Sequence, residues 1–72
     1  MSEYVVNLQW DPEVAVWIAK SDDVSGFVLE SGSFDALIER VRYSIPELLE
    51  LNKKPFDNIS LCFLSERRER VS

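Results

Sequence analysis

Four carboxylates near two predicted turns are the residues most capable of chemistry in this sequence. Asp11 and Glu13 lie in one turn, and Asp22 and Asp23 lie in another. Carboxylates of this kind bind Mg²⁺ in nucleases. The strand predicted at 14–20 lies between the two turns and, at about 3.3 Å per residue, separates them by roughly 20 Å or more. One ion cannot be shared over that distance, so the pattern favours turn formation and solubility over a metal site.

Covalent catalysis and cofactor binding lack their usual residues. The sequence contains no histidine, which excludes Ser-His and Cys-His nucleophilic sites and most zinc or iron sites. Its two glycines stand apart, so they form no phosphate-binding loop. The single cysteine, Cys62, is interpreted as a small buried hydrophobe, because no second thiol is present. We expect a protein that is not an enzyme and that needs no cofactor, metal or small-molecule substrate.

Nucleic-acid binding is disfavoured by the charges around the aromatic residues. Trp10 and Trp17 could stack on bases, but no basic residue is interleaved with them, so packing is the favoured interpretation. The cluster RRER at 67–70 contains Glu69 and follows Glu66, which is typical of a solvated chain end. A net charge of -5 also opposes binding to phosphates. We expect no direct DNA binding.

Charge is divided unevenly along the chain. Residues 1–39 contain eight acids against Lys20 alone, whereas residues 40–72 contain seven bases and five acids. An acidic surface is complementary to a basic protein. It also keeps a protein soluble without any partner. Both interpretations of the acidic half stay open on charge alone.

The composition is that of a globular domain. Hydrophobic residues make up 46% of the chain and charged residues 29%, so the chain can bury a core instead of staying disordered. The N-terminal MSEYVVNLQW lacks the basic stretch and apolar core of a secretory signal, and no apolar run approaches the ~20 residues of a bilayer span. We expect one cytoplasmic domain over residues 1–72, with no membrane association.

Periodicity predicts three strands before a helix. Apolar residues recur at every second position from Tyr4 to Trp10 and alternate with Val5, Asn7 and Gln9, as in a strand with one buried face. DPE at 11–13 predicts a turn, and VAVWIAK at 14–20 predicts a second strand that is apolar on both faces. After the loop SDDVSG, a short third strand is predicted at 27–30.

One long helix and a last strand complete the predicted fold. Ser33 is a suitable N-cap, and apolar residues then recur at spacings of three and four as far as Leu49. Pro46 interrupts this stripe, so we expect the helix to kink or restart beside it. NISLCFLSE at 58–66 is a second run that is apolar on both faces. The predicted class is α+β in the order β-β-β-α-β, a small antiparallel sheet with one helix packed on one face and a frayed tail at 66–72.

A single helix can cover only one face of this sheet. The strands at 14–20 and 58–66 are apolar on both faces, so an apolar patch would stay exposed in a monomer. We expect this patch, or a sheet edge, to bind a protein partner or a second copy. The alternative is a patch shielded by the chain's own tail and long polar side chains. The predicted partner-binding residues, which include two acids of the neighbouring loop, are Ala15, Trp17, Ala19, Asp22, Asp23, Cys62 and Leu64.

Residues 11–52 resemble the N-terminal domain of HicB-like antitoxins, especially short relatives made of this domain alone. Their sequence is DPEVAVWIAKSDDVSGFVLESGSFDALIERVRYSIPELLELN. The shared features are an acidic turn, a strand with an aromatic residue, a loop ending in glycine, a short strand and a Ser-capped helix. Their counterparts here, in the same order, are residues 11–13, Trp17, Gly26, FVLE and SFDALIERV.

This resemblance implies a three-stranded sheet, one helix and a returning strand, like a truncated ribonuclease H fold without its active site. It also implies a non-catalytic protein of a toxin-antitoxin system, which binds and neutralises a small basic toxin that cleaves messenger RNA. Many relatives repress their own operon through a C-terminal DNA-binding segment, and the residues after 66 are too few to form one. The alternative function is a homodimeric structural or regulatory domain without a toxin.

Overall fold

Five segments of the sequence form regular structure in the computed structural model, which describes residues 2–72. The elements are β1 (Ser2–Asp11), β2 (Val16–Lys20), β3 (Val28–Ser31), α1 (Phe34–Leu51) and β4 (Ile59–Glu66). This is the predicted β-β-β-α-β order, so the α+β class is confirmed. No helix within residues 2–72 combines the length and the apolar character of a membrane span.

The four strands form one mixed sheet in the order β3-β2-β1-β4. β2 pairs antiparallel with both β1 and β3. β4 instead lies parallel to β1, with Ser2 opposite Ile59 and Gln9 opposite Glu66. The prediction of an antiparallel sheet is therefore wrong for this one pairing. The reason is that α1 carries the chain back along the sheet after β3, so β4 enters in the direction of β1.

A turn at residues 12–15 joins β1 to β2 and sets their register. The Asp11 Oδ1 accepts a hydrogen bond from the Glu13 N–H at 3.0 Å, as in an Asx turn. Ala15 ends the turn with a φ of 55°, a left-handed conformation that costs a residue with a Cβ roughly 1–2 kcal/mol. The strand then begins at Val16, two residues later than the sequence predicts, and Val16 lies opposite Asp11.

The helix starts at the predicted cap and passes through its proline. Ser33 accepts a hydrogen bond at its Oγ from the Ala36 N–H at 3.2 Å. The predicted restart at Pro46 is absent, because α1 runs without a break from Phe34 to Leu51. Ile45 and Leu49, on either side of the proline, are both buried against the sheet. Their packing offsets the hydrogen bond that the proline removes from the helix.

Between α1 and one face of the sheet lies the hydrophobic core. The helix contributes the stripe of residues spaced by four, and the sheet contributes alternate residues of its central strands. The loop before β3 adds two further side chains. The buried residues are Val6, Leu8, Ala19, Val24, Phe27, Leu37, Val41, Ile45 and Leu49.

Two loop side chains extend the pairing of β1 beyond the end of β2. Because β2 ends at Lys20, the backbone of Val5 has no strand partner on that side. The Val5 N–H donates to the Asp23 Oδ2 at 2.7 Å, and the Ser21 Oγ donates to the Val5 carbonyl at 2.6 Å. The Asp23 N–H donates in turn to the Ser21 Oγ at 3.1 Å. The acidic loop is thereby tied to the sheet.

Truncating a buried leucine of α1 should unfold the domain far more readily than truncating an exposed one. Leu37 is 0% exposed and Leu51 is 78% exposed. We expect Leu37→Ala to lower the free energy of unfolding by about 2–5 kcal/mol, because it leaves a cavity in the core. The matched variant Leu51→Ala should change it by less than about 0.5 kcal/mol. Urea titration followed by circular dichroism measures both values, and equal losses would contradict the burial of Leu37 in the core.

The Asp23 carboxylate should stabilise the fold, whereas its neighbour Asp22 should not. Asp23→Ala removes the acceptor of the Val5 N–H, so we expect a loss of about 1 kcal/mol in the free energy of unfolding. Asp22→Ala makes the same chemical change in the same loop and serves as the control. Amide hydrogen exchange should also become faster at Val5 in the Asp23 variant alone. Unchanged exchange at Val5 would show that the loop does not hold β1.

Candidate protein-binding surface

The sheet has two unlike faces, because successive residues of a strand point to opposite sides. One face packs on α1 through Val6, Leu8 and Ala19. We call the other the open face, since no element of residues 2–72 packs on it. Its members, assigned from the strand registers, are Glu3, Val5, Asn7, Gln9, Asp11, Val16, Ile18, Lys20, Val28, Glu30, Ser60, Cys62, Leu64 and Glu66.

Apolar side chains lie in two areas of the open face, one on β1 and β4 and the other on β2 and β3. Val5 lies opposite Cys62 on β4, and Leu64 follows on the same strand with 52% of its surface exposed. On the other side, Ile18 is half-buried between its neighbours, and Val28 on β3 is 59% exposed. An area of this kind, apolar and reachable by solvent, is typical of a surface that binds another protein.

Polar side chains of β1 run between these two apolar areas. Asn7 and Gln9 point outward from the middle of the sheet, with Lys20 and Leu64 on either side of Asn7. A shallow depression runs over this part of the face and extends to Asp22. Amide groups can both donate and accept hydrogen bonds, so the centre of the face can be satisfied by polar groups of a partner.

The charge on the open face is predominantly acidic. Glu3, Asp11, Glu30 and Glu66 belong to it, and Lys20 is its one base. Glu66 is engaged by Arg68 at 2.9 Å in an exposed ion pair, which neutralises part of this charge at one end. A face that combines apolar, amide and acidic groups is complementary to a basic protein surface that also carries apolar residues.

Trp17 and Ala19 do not lie where the sequence analysis predicted. Both point to the helix side of the sheet, and Ala19 is 0% exposed. Trp17 packs edge-on against Phe34 with ring centroids 4.8 Å apart and against Trp10 at 5.6 Å. Their predicted exposure on the open face is therefore wrong. The side chains of β2 that alternate with Trp17 and Ala19 point to the open face instead, and Ile18 is at their centre.

The remaining predicted residues divide between the turns and the open face. Ala15 is exposed in the left-handed turn position and belongs to no strand. Asp23 is used by the sheet through Val5, whereas Asp22 lines the depression. Cys62 and Leu64 do lie on the open face, and their part in binding stays a prediction. No group of three or more Cys, Asp or Glu side chains in the described part of the chain is placed to hold a metal ion.

Sequence reasoning missed Val5, Val16 and Ile18, although the signal was present. The buried face of β1 is marked by Tyr4, Val6, Leu8 and Trp10, because they recur at every second position and the polar residues Asn7 and Gln9 fall between them. A turn at 12–15 then sets Trp10 opposite Trp17 and Leu8 opposite Ala19. Residues directly opposite in a sheet share a face. The length of this turn therefore decides which side of β2 is buried.

Arg67 is a further residue whose role was missed. Its guanidinium lies 4.1 Å from the centroid of the Trp10 ring and 5.9 Å from that of Trp17. A cation over an indole face gains about 0.5–1 kcal/mol at an exposed site. The first residue after β4 therefore packs over the aromatic end of the core, although the sequence predicts a frayed tail from residue 66.

Comparisons with known proteins give the family of the chain. A family model described as a domain of unknown function (DUF1902) matches residues 3–72. A crystal structure of a hypothetical protein from the extremely thermophilic bacterium Thermus thermophilus is similar, with 28% sequence identity, a TM-score of 0.69 and 97% of each chain covered. Among curated proteins, none matches the chain. Because the family model extends over nearly the whole sequence, this protein belongs to the DUF1902 family.

Proposed function

We propose that this chain is a non-catalytic binding protein of the HicB-like antitoxin kind, and that its open face binds a small basic toxin that cleaves messenger RNA. The observation that carries the proposal is the chemistry of the open face. It joins apolar side chains such as Ile18 and Leu64 to a rim of carboxylates that includes Glu30. A partner of this kind acts on messenger RNA, so the proposal includes a cytoplasmic location.

The acidic rim favours a basic partner over an acidic or neutral one. Glu3 and Asp11 lie toward opposite ends of β1, and Glu30 lies on the edge strand β3, so these acids are spread over the open face instead of forming one cluster. Charges at a rim mainly accelerate association and exclude partners of like charge, while the desolvated centre supplies the affinity. RNA-cleaving toxins are basic because they must bind phosphates.

Sequence resemblance to HicB-like antitoxins is a second line of support for the same function. The resembling segment, residues 11–52, contains β2, β3 and α1. It therefore includes the two strands that form one side of the open face, together with Asp22 at the edge of its depression. Since a fold alone does not fix a function, the proposal rests on this surface as well as on the resemblance.

Growth rescue tests the proposal with a matched pair of charge reversals. Any basic reading frame of toxin size that is found next to this gene would be expressed from an inducible promoter, with or without the present chain. We expect the toxin to stop growth and the wild-type chain to restore it. Glu30→Lys reverses a charge on the open face, whereas Glu47→Lys makes the same change on an exposed position of α1.

The two variants should differ although their net charges are equal. We expect Glu30→Lys to weaken toxin binding roughly tenfold or more, and Glu47→Lys to leave it within about threefold of wild type. Titration calorimetry on the purified proteins measures both dissociation constants. A neighbouring gene that encodes no basic protein, or equal affinities for the two variants, would count against the proposed toxin binding at the open face.

Salt should weaken the complex by slowing its formation. The Debye length falls from about 14 Å near 0.05 M salt to about 4 Å near 0.5 M, so the attraction between an acidic rim and a basic partner is screened. We expect the association rate constant to fall about tenfold or more over this range, with a smaller change in the dissociation rate constant. Surface plasmon resonance measures the association and dissociation rate constants separately. An association rate that does not depend on salt would contradict the electrostatic part of the proposal.

A further inference from the structure

β4 is an edge strand whose outer side is left unpaired by residues 2–72. Its eight residues pair with β1 on one side, and no strand among residues 2–72 pairs with the other. Edge strands usually carry a charge, a proline or a bulge that prevents pairing with another chain. The stretch from Ile59 to Ser65 contains no charged residue and no proline.

The backbone groups that face outward from β4 can be identified. The N–H and carbonyl of Val5 point toward the β2 side, where Asp23 and Ser21 bind them. Because alternate residues of a strand direct their backbone groups to opposite sides, Val6 points to β4. In the parallel register that sets Val6 opposite Phe63, the backbone of Phe63 then points away from β1. The free donors and acceptors therefore belong to Ile59, Leu61, Phe63 and Ser65.

We propose that a second copy of this chain pairs with β4 in antiparallel fashion and joins the two sheets into one. The open face cannot serve this purpose, because its acidic side chains would face those of an identical copy in a chain of net charge -5. The β4 edge avoids this repulsion, since the stretch that would pair is uncharged. This inference does not depend on toxin binding.

An apolar row beside the edge gives a second reason for this partner. Ile59, Leu61 and Phe63 are half-exposed on the helix side of β4, where they line a groove with Arg42 and Pro46 of α1. An identical strand would bring its own apolar row alongside this one. Cross-strand pairs of large apolar residues stabilise a sheet, so the edge complements itself in side chains as well as in hydrogen bonds.

The register of the pairing follows from symmetry and overlap. Only residues with outward backbone groups can form the hydrogen-bonded pairs, so the two-fold axis passes through a residue and not between two. With Cys62 on the axis, Leu61 lies opposite the partner's Phe63, and Ile59 lies opposite the partner's Ser65. Moving the axis to Phe63 would instead set Ile59 opposite the partner's Arg67, which is charged. An axis on Leu61 would shorten the paired stretch of β4, because Ile59 would then lie opposite the partner's Phe63. The geometry therefore favours Cys62.

This register brings the two Cys62 residues together. They would form a non-hydrogen-bonded pair with Cα atoms about 4.5 Å apart, which lies within the ~4.4–6.8 Å that a disulfide spans. In the same register, Ser60 lies opposite the partner's Leu64, whereas the two Leu64 residues are four positions apart. Cross-linking can therefore test the pairing residue by residue.

Measuring the oligomeric state is the first test of the proposed pairing through β4. Sedimentation velocity at about 50 μM under reducing conditions should give the mass of a dimer for wild type. Cys62→Asp sets two carboxylates against each other on the axis, so it should raise the dimer dissociation constant roughly a hundredfold or more. Val28→Asp places the same charge on the same face at the opposite edge and should leave the dimer intact. A monomeric wild type, or a dimer dissociated only by Val28→Asp, would overturn the proposal.

Disulfide trapping is the second test, and it holds even if Cys62→Asp fails to fold. Mild oxidation should link wild type through Cys62. In a Cys62→Ser background, a mixture of the Ser60→Cys and Leu64→Cys chains should cross-link roughly tenfold faster than either chain alone. Equal rates in the mixture and in the separate chains would refute this register and with it the proposed interface. Neither test involves a toxin, so their failure would leave the proposed function untouched.

Discussion

Packing of α1 on one face of the sheet is the interaction on which the rest of this structure depends. The helix supplies Leu37, Val41, Ile45 and Leu49, each at most 2% exposed, and they contact the side of the sheet that presents Val6 and Leu8. At about 25 cal/mol per Å² of apolar surface, this contact is the main source of stability in a chain of this size. The open face receives no such cover from any element of residues 2–72.

Much of the fold was predictable, because the period of each apolar pattern matches its element. The alternation from Tyr4 to Trp10 and the helical spacing from Phe34 to Leu49 gave the elements and the buried face of β1. The parallel direction of β4 was not predictable from NISLCFLSE itself. It results from the path of the chain through α1, which local periodicity does not report.

The sequence predicted that the candidate site is an uncovered sheet face, but it assigned some of the wrong residues to that face. An uncovered sheet face was expected, and the structure has one, yet Trp17 belongs to the buried side and Ile18 to the uncovered side. Because the strand at 14–20 is apolar on both faces, its own pattern did not decide which side is buried, although a large aromatic residue in a small domain contributes most to stability when it packs on other aromatic residues. Contact of Trp17 with both Trp10 and Phe34 shows where that contribution is made.

The parallel pairing of β1 with β4 has a consequence for biosynthesis. Ser2 is paired with Ile59, so β1 cannot complete this pairing until β2, β3, α1 and β4 have all left the ribosome. Contacts between residues so distant in sequence slow folding, since a long loop must close before they form. Until then, β1 has an unpaired side available to chaperones, to proteases or to other nascent chains.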